Sequence, residues 1–277
     1  MVQNNYSMIL FPTAKLNLGL QITAKRTDGY HNIQTVFYQF PLKDVLEIVE
    51  DSTLGGGKCV FKSTGIPIPA GENLCVRAYK LLNVKMPLPG VRIHLHKIIP
   101  MGAGLGGGSS DAAYTLSLLN SLFKLNLMVS ELQDLALQLG SDCPLFIEGG
   151  AQYAEGRGEK LTKIDLDLKG MHLIVINPKI HISTSEAFAN VVATEAPSCK
   201  KIVQQPISTW KTDLVNDFEA SVFPLYPDLK NIKDMLYSLG ADYAAMSGSG
   251  STLFGLFSDE IPTTDWNEDY FVWQTQF

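Results

Sequence analysis

Residues 100–113, PMGAGLGGGSSDAA, place five glycines within the seven positions from Gly102 to Gly108. Ordering a glycine costs up to about 1 kcal/mol more than ordering an alanine, so such a cluster needs a purpose. Ahead of it, VRIHLHKII (91–99) alternates Val91, Ile93 and Leu95 with Arg92, His94 and His96. That pattern predicts a strand with one wet face, ended by Pro100. Behind it, Ala112, Leu116, Leu119 and Phe123 recur at helical spacing and predict one buried stripe.

A strand that runs through bare backbone into a helix gathers N–H groups and the positive end of a helix dipole at one spot, which suits an anion. Ser109 and Ser110 add hydroxyls for phosphate oxygens or for the water shell of a metal ion. Two rivals fit less well. Gly102-x-Gly104-x-x-Gly107 satisfies the dinucleotide fingerprint literally, but the acidic residue at the required distance, Glu131, falls in the first turn of a predicted helix. A flexible surface turn needs one or two glycines, not this many. Walker A is absent, because Gly57-Lys58 is followed by Cys59 and Ser52 stands at the first glycine position.

Composition narrows the partners. The 277 residues are 45% apolar and 18% charged with a net charge of −6, as expected of a globular enzyme. No basic stripe is present, which argues against nucleic acid and anionic membranes. Cys59, Cys75, Cys143 and Cys199 form no C-x-x-C pair, so reduced thiols and a cytoplasmic location are expected. The N-terminal apolar run is too short for a signal peptide, and no stretch approaches a membrane span.

Elsewhere, NLGLQITA (17–24) reads as a half-buried strand, and DVLEIVE and KCVFKS read similarly. A helix is predicted over 131–139 with Ser130 and Gln133 as a capping box, and Ser183 to Glu186 forms another. MHLIVIN (171–177) reads as a buried strand and PDLKNIKDMLYSLG (227–240) as an amphipathic helix. DYAAM, SGSGS and TLFGLF read as strand, tight turn and strand. His94-x-His96 shares a strand face, but no third metal ligand is near in sequence, so a solvent-facing pair is expected.

A phosphate loop that is neither Walker nor Rossmann resembles the central motif of the GHMP small-molecule kinases. PTAKLNLGL (12–20) and MSGSGSTLF (246–254) are similar to that superfamily's first and last motifs, in the expected order. DGYHNIQTVF (28–37), GENLCVRA (71–78) and LGSDCPLFIEGGAQYAEGRGE (139–159) resemble the branch whose acceptor carries a cytidine diphosphate.

The resemblance implies an α+β fold: an N-terminal lobe (1–155) like domain 2 of ribosomal protein S5, binding ATP, and a ferredoxin-like C-terminal lobe (156–277) contributing to the substrate site. It implies ATP and Mg²⁺, although no metal ligands are legible. Pro100, Met101, Gly102, Ala103, Gly104, Leu105, Gly106, Gly107, Gly108, Ser109 and Ser110 would hold the triphosphate, with Asn73 and Lys97 near the adenosine. Asp111 is expected to cap its helix rather than hold the metal.

Asp142, in the rigid turn GSDCP, aligns with the family's general base. Lys15, an ammonium inside an apolar run, must be paired if buried and would keep Asp142 ionised. Asn17 shares its strand face and would bond the acceptor's hydroxyls. Reading a cytosine takes aromatic faces and a side chain that both donates and accepts, which Tyr30 and His31 supply. Phe188 would be the opposing stacking face, with Thr184 nearby.

Overall fold

A computed structural model of the chain describes residues 7–189, 191, 193 and 198–277. In chain order the strands are β1 (Ser7–Leu10), β2 (Thr13–Lys25), β3 (His31–Lys43), β4 (Val45–Glu50), β5 (Cys59–Gly65), β6 (Val91–Lys97), β7 (Gln152–Glu155), β8 (Lys160–Lys163), β9 (His172–Asn177), β10 (Tyr243–Met246), β11 (Leu253–Phe257) and β12 (Phe271–Gln276). The helices are α1 (Leu74–Lys85), α2 (Gly107–Leu122), α3 (Val129–Leu139), α4 (Leu145–Glu148), α5 (Thr184–Phe188), α6 (Cys199–Ile202), α7 (Trp210–Asp213), α8 (Phe218–Val222) and α9 (Pro227–Ser238). Strands and helices are mixed throughout, an α+β arrangement.

Two compact units are interleaved along the chain, so no single cut such as 155/156 separates them. One comprises Met1–Ala14, Leu42–Met101 and Gly106–Gly149; the other comprises Lys15–Pro41, Gly102–Leu105 and Gly150–Phe277.

The first unit has a four-stranded sheet in the order β1-β4-β6-β5, with β5 parallel to β6 and the other pairs antiparallel. Its core joins Ile48, Ile93 and Leu95 from the sheet to Tyr79, Leu82, Leu116, Leu119 and Leu135 from the helices. The stripe read from the sequence holds at Ala112, Leu116 and Leu119, whereas Phe123 is the C-cap of α2 and only half-buried. Helix α3 starts two residues earlier than expected. Its amide cap comes from Glu131, whose Oε2 accepts the Met128 N–H at 3.0 Å, and not from a Ser130–Gln133 box.

The second unit has two four-stranded sheets, β2-β3-β7-β8 and β10-β11-β9-β12. The last strand, β12, pairs antiparallel with β9 and gives the C-terminal residues a place in the sheet. Strand β2 departs from the half-buried expectation: Ala14 through Ile22 are all buried. The alternation is real, with Leu16, Leu18, Leu20 and Ile22 on one face. The face bearing Lys15, Asn17 and Gln21 is buried too, and its polar atoms find internal partners; Gln21 Oε1, for instance, accepts the Cys199 N–H at 3.1 Å.

Ser183 accepts the Glu186 N–H at 3.2 Å, but the Glu186 carboxylate takes the Tyr226 hydroxyl at 2.6 Å and completes no reciprocal box. Among the described residues, no helix is long and apolar enough to cross a membrane. None of the four cysteines is in a disulfide.

Candidate active site

The glycine segment is divided between the units. In the second unit Gly104 has φ +77°, and a Cβ on it would overlap the Ser247 carbonyl oxygen. Ala103 and Leu105 are buried, while Met101 and Gly102 are exposed and Pro100 is half-buried.

In the first unit α2 begins at Gly107 behind the N-cap Gly106, with no side-chain cap. A Cβ on Gly107 would sit 2.9 Å from Lys97 Nζ and from Ile99 Cγ2, so nothing larger fits there; Gly108 would meet only Leu74, at 3.7 Å. The Ser110 hydroxyl is fully buried and has no partner among the described residues. Ser109 faces the Cys143 thiol, which burial pushes up to about 11. An uncapped helix start with a buried, unengaged hydroxyl is chemically suited to phosphate oxygens.

Beneath that helix start lies an ionic cluster that the sequence did not suggest. Lys97 Nζ donates to Asp44 Oδ2 and, at 2.8 Å, to Asp111 Oδ2. Asp44 Oδ1 accepts the Ile98 and Ile99 N–H groups at 2.5 and 2.9 Å. The lysine expected beside adenosine is thus held by two buried carboxylates, because an ammonium taken out of water must be paired. Asp111 caps nothing: it is the fifth residue of α2, past the reach of the free N–H groups. Burial, opposed by Lys97 and reinforced by Asp44, raises its carboxyl to about 7. Burial alone would depress the Lys97 ammonium, but the two carboxylates outweigh it and leave it raised.

In the second unit, Lys15 is 3% exposed. Its Nζ donates to Asn17 Oδ1 at 2.5 Å and to the Gly104 carbonyl at 2.8 Å, and lies 5.3 Å from the Phe37 ring centroid. Asn17 Nδ2 donates to Thr35 Oγ1 at 3.0 Å. The amide expected to bond acceptor hydroxyls is therefore engaged at both ends by the protein. Ser247 Oγ donates to the same Gly104 carbonyl at 2.9 Å, and Asn216 holds the SGSGS turn by donating to the Met246 and Gly248 carbonyls.

His31 and Phe188 are brought together, stacked with centroids 4.7 Å apart and 14° between planes. They touch each other directly and so do not flank an open slot; Phe188 also meets Phe218 edge-on. Tyr30 is 57% exposed, with the Arg157 guanidinium 4.8 Å from its centroid. Thr184 is the exposed first residue of α5. In the first unit, Asn73 caps α1 by accepting the Cys75 N–H at 2.8 Å. Asp142 lies in the turn between α3 and α4, half-buried, with the Ser141 hydroxyl 3.4 Å from its Oδ1.

Sequence reading missed Thr35, Asp44 and Ser247. Asp44 had a usable signal, an acid between two apolar runs in FPLKDVLEI. Thr35 looked like any strand threonine.

Residues 73–150 match the family described as GHMP kinases N terminal domain, and residues 201–262 the one described as GHMP kinases C terminal. The chain is 50% identical over 276 residues to the 4-diphosphocytidyl-2-C-methyl-D-erythritol kinase of Bacteroides fragilis, covering 97% of this chain and 99% of that one. It is 49% identical over 260 residues to the protein of the same name from Cytophaga hutchinsonii, covering 92% and 94%. A crystal structure of 4-(cytidine 5'-diphospho)-2C-methyl-D-erythritol kinase superposes with a TM-score of 0.76 at 35% identity, covering 90% of each chain. With both halves of the family matched and close to half of the residues shared with such relatives over almost the whole chain, this protein belongs to the GHMP kinases.

Proposed function

We propose that the protein transfers the γ-phosphoryl group of ATP to the C2 hydroxyl of 4-diphosphocytidyl-2-C-methyl-D-erythritol, a step of the non-mevalonate (MEP) route to isoprenoid precursors. The observation that carries this reading is the 50% identity, over 97% of the chain, to a relative named for that activity.

The local chemistry supports phosphoryl transfer. Amides at the uncapped start of α2 and the unengaged Ser110 hydroxyl suit the triphosphate. Mg²⁺, when bound, would neutralise phosphate charge. Among the described residues no group of three or more His, Cys, Asp or Glu side chains forms a cage. Ser109 and Ser110 would offer hydroxyls to the water shell of such an ion, with the substrate phosphates as its main ligands.

Asp142 takes the proton of the acceptor hydroxyl, and Lys15 offsets the negative charge that develops on that oxygen. Tyr30 and the outer face of His31, which Phe188 backs, receive the cytosine, with Thr184 beside them; Asn73 lies on the nucleotide side. The reaction runs in the cytoplasm, where ATP is supplied.

Incubation with γ-labelled ATP, Mg²⁺ and the cytidyl acceptor tests the reading. Label is expected on that acceptor and is expected to vanish with EDTA. Label on homoserine or mevalonate in its place would assign another GHMP acceptor, and ATP binding without transfer would leave a nucleotide-binding module.

A further inference from the structure

Three buried side chains of the second unit form a line of hydrogen bonds whose two ends have fixed polarity. At one end the Gly19 carbonyl only accepts; at the other the Lys15 ammonium only donates. Thr35 Oγ1 donates its one proton to the Gly19 carbonyl at 2.5 Å, so it presents only lone pairs to Asn17. Asn17 Nδ2 supplies the matching donor at 3.0 Å, which turns Asn17 Oδ1 toward Lys15 Nζ at 2.5 Å.

Reversing the amide would set NH₂ against an ammonium and oxygen against oxygen. With Thr35 fully buried and Asn17 2% exposed, water is poorly placed to repair either mismatch. A single orientation survives.

We infer that Thr35 is a positioning residue for phosphoryl transfer: its hydroxyl accepts the Asn17 amide N–H and so holds Asn17 Oδ1 in place against the Lys15 ammonium. The inference rests on the role given to Lys15 above. Asn17 Oδ1 and the Gly104 carbonyl, itself held by Ser247 Oγ, fix two N–H directions of the ammonium, and tetrahedral geometry then fixes the third. Thr35 thus aims a charge it never touches.

Thr35→Val tests this, since it keeps volume and β-branching and removes only the hydroxyl. Turnover is expected to fall roughly 10- to 100-fold, the effect of stranding a buried amide donor against the wrong partner. KM for ATP is expected to stay within about threefold, because ground-state binding of the nucleotide is not involved. Thr35→Ser is expected to restore turnover.

In an Asn17→Ala background, where no amide remains to orient, Thr35→Val is expected to cost less than about twofold. Should Thr35→Val fail to fold, Thr35→Ala, which also removes the hydroxyl, takes its place. Wild-type-like turnover in the folded variant, or the same loss with Asn17 already removed, would overturn the inference and leave the kinase reading intact. Failure of the wild-type protein to phosphorylate any alcohol would overturn both.

Discussion

The Lys97 ammonium and the Asp111 carboxylate meet at 2.8 Å with side chains 1% and 4% exposed, directly under the start of the glycine-led helix. Asp44 closes the cluster from the other side and ties down the Ile98 and Ile99 amides that lead into the glycine segment. One cation therefore serves two buried carboxyl groups, and the three side chains are unequal in what their loss would cost.

Lys97→Met strands both carboxylates and is expected to destabilise the fold by about 3–5 kcal/mol, the usual penalty for a buried charge left without its partner. Asp111→Asn leaves a one-to-one pair of Lys97 with Asp44 and is expected to cost much less. Denaturant melts of the two variants side by side check the order; a Lys97→Met protein as stable as the wild type would contradict it.

The same cluster gives a pH dependence with a definite sign. The Asp111 carboxyl is raised from 3.8 to about 7, so on falling pH the folded state takes up its proton before the unfolded chain does. Its contribution to stability therefore rises as pH drops from about 7 toward 4 and is lost as pH climbs through 7. Subtracting the stability–pH curve of Asp111→Asn from that of the wild type isolates this slope. A flat difference would show that Asp111 does not titrate there.

Adjacent glycines are expected to respond oppositely to alanine. Gly107→Ala drives a methyl to 2.9 Å from Lys97 Nζ and Ile99, so it is expected to cost about 1–3 kcal/mol through overpacking. Gly108→Ala meets only Leu74 at 3.7 Å and is expected to add up to about 1 kcal/mol of helix stability while raising KM for ATP, since its methyl would stand where the phosphates are proposed to approach. Thermal melts and ATP titrations of both variants separate the effects.

Asp142→Asn is expected to lower kcat by about 10²- to 10⁴-fold with ATP binding retained, the range for a lost general base. Near-normal turnover would remove Asp142 from that role.

His31→Ala is expected to raise KM for the cytidyl acceptor by roughly 10- to 100-fold while sparing KM for ATP, because it deletes one stacked ring and one edge reader. An unchanged acceptor KM would point to a substrate without a base.

Local patterns carried much of the fold. The alternation of Val91, Ile93 and Leu95 located β6, and the stripe of Ala112, Leu116 and Leu119 located α2, because burial on one face imposes its period on the sequence. What local patterns do not carry is the identity of distant partners. Lys97 is expected near the adenosine, and its ion pair with Asp44, 53 positions away, has no signature in the local pattern. Asn17 is expected to bond the acceptor's hydroxyls, and its links to Lys15 and Thr35 are likewise set by the fold.

What the sequence determined by itself was the strand, glycine segment and helix, and through its motifs the family resemblance, since these depend on neighbours along the chain. What only the tertiary structure decided was which polar side chains neutralise one another. Ser247 reaches the Gly104 carbonyl across 143 positions, and no periodicity encodes such a pairing. It follows from the topology that brings the segments together and from the high cost of leaving any buried polar atom unpaired once they meet.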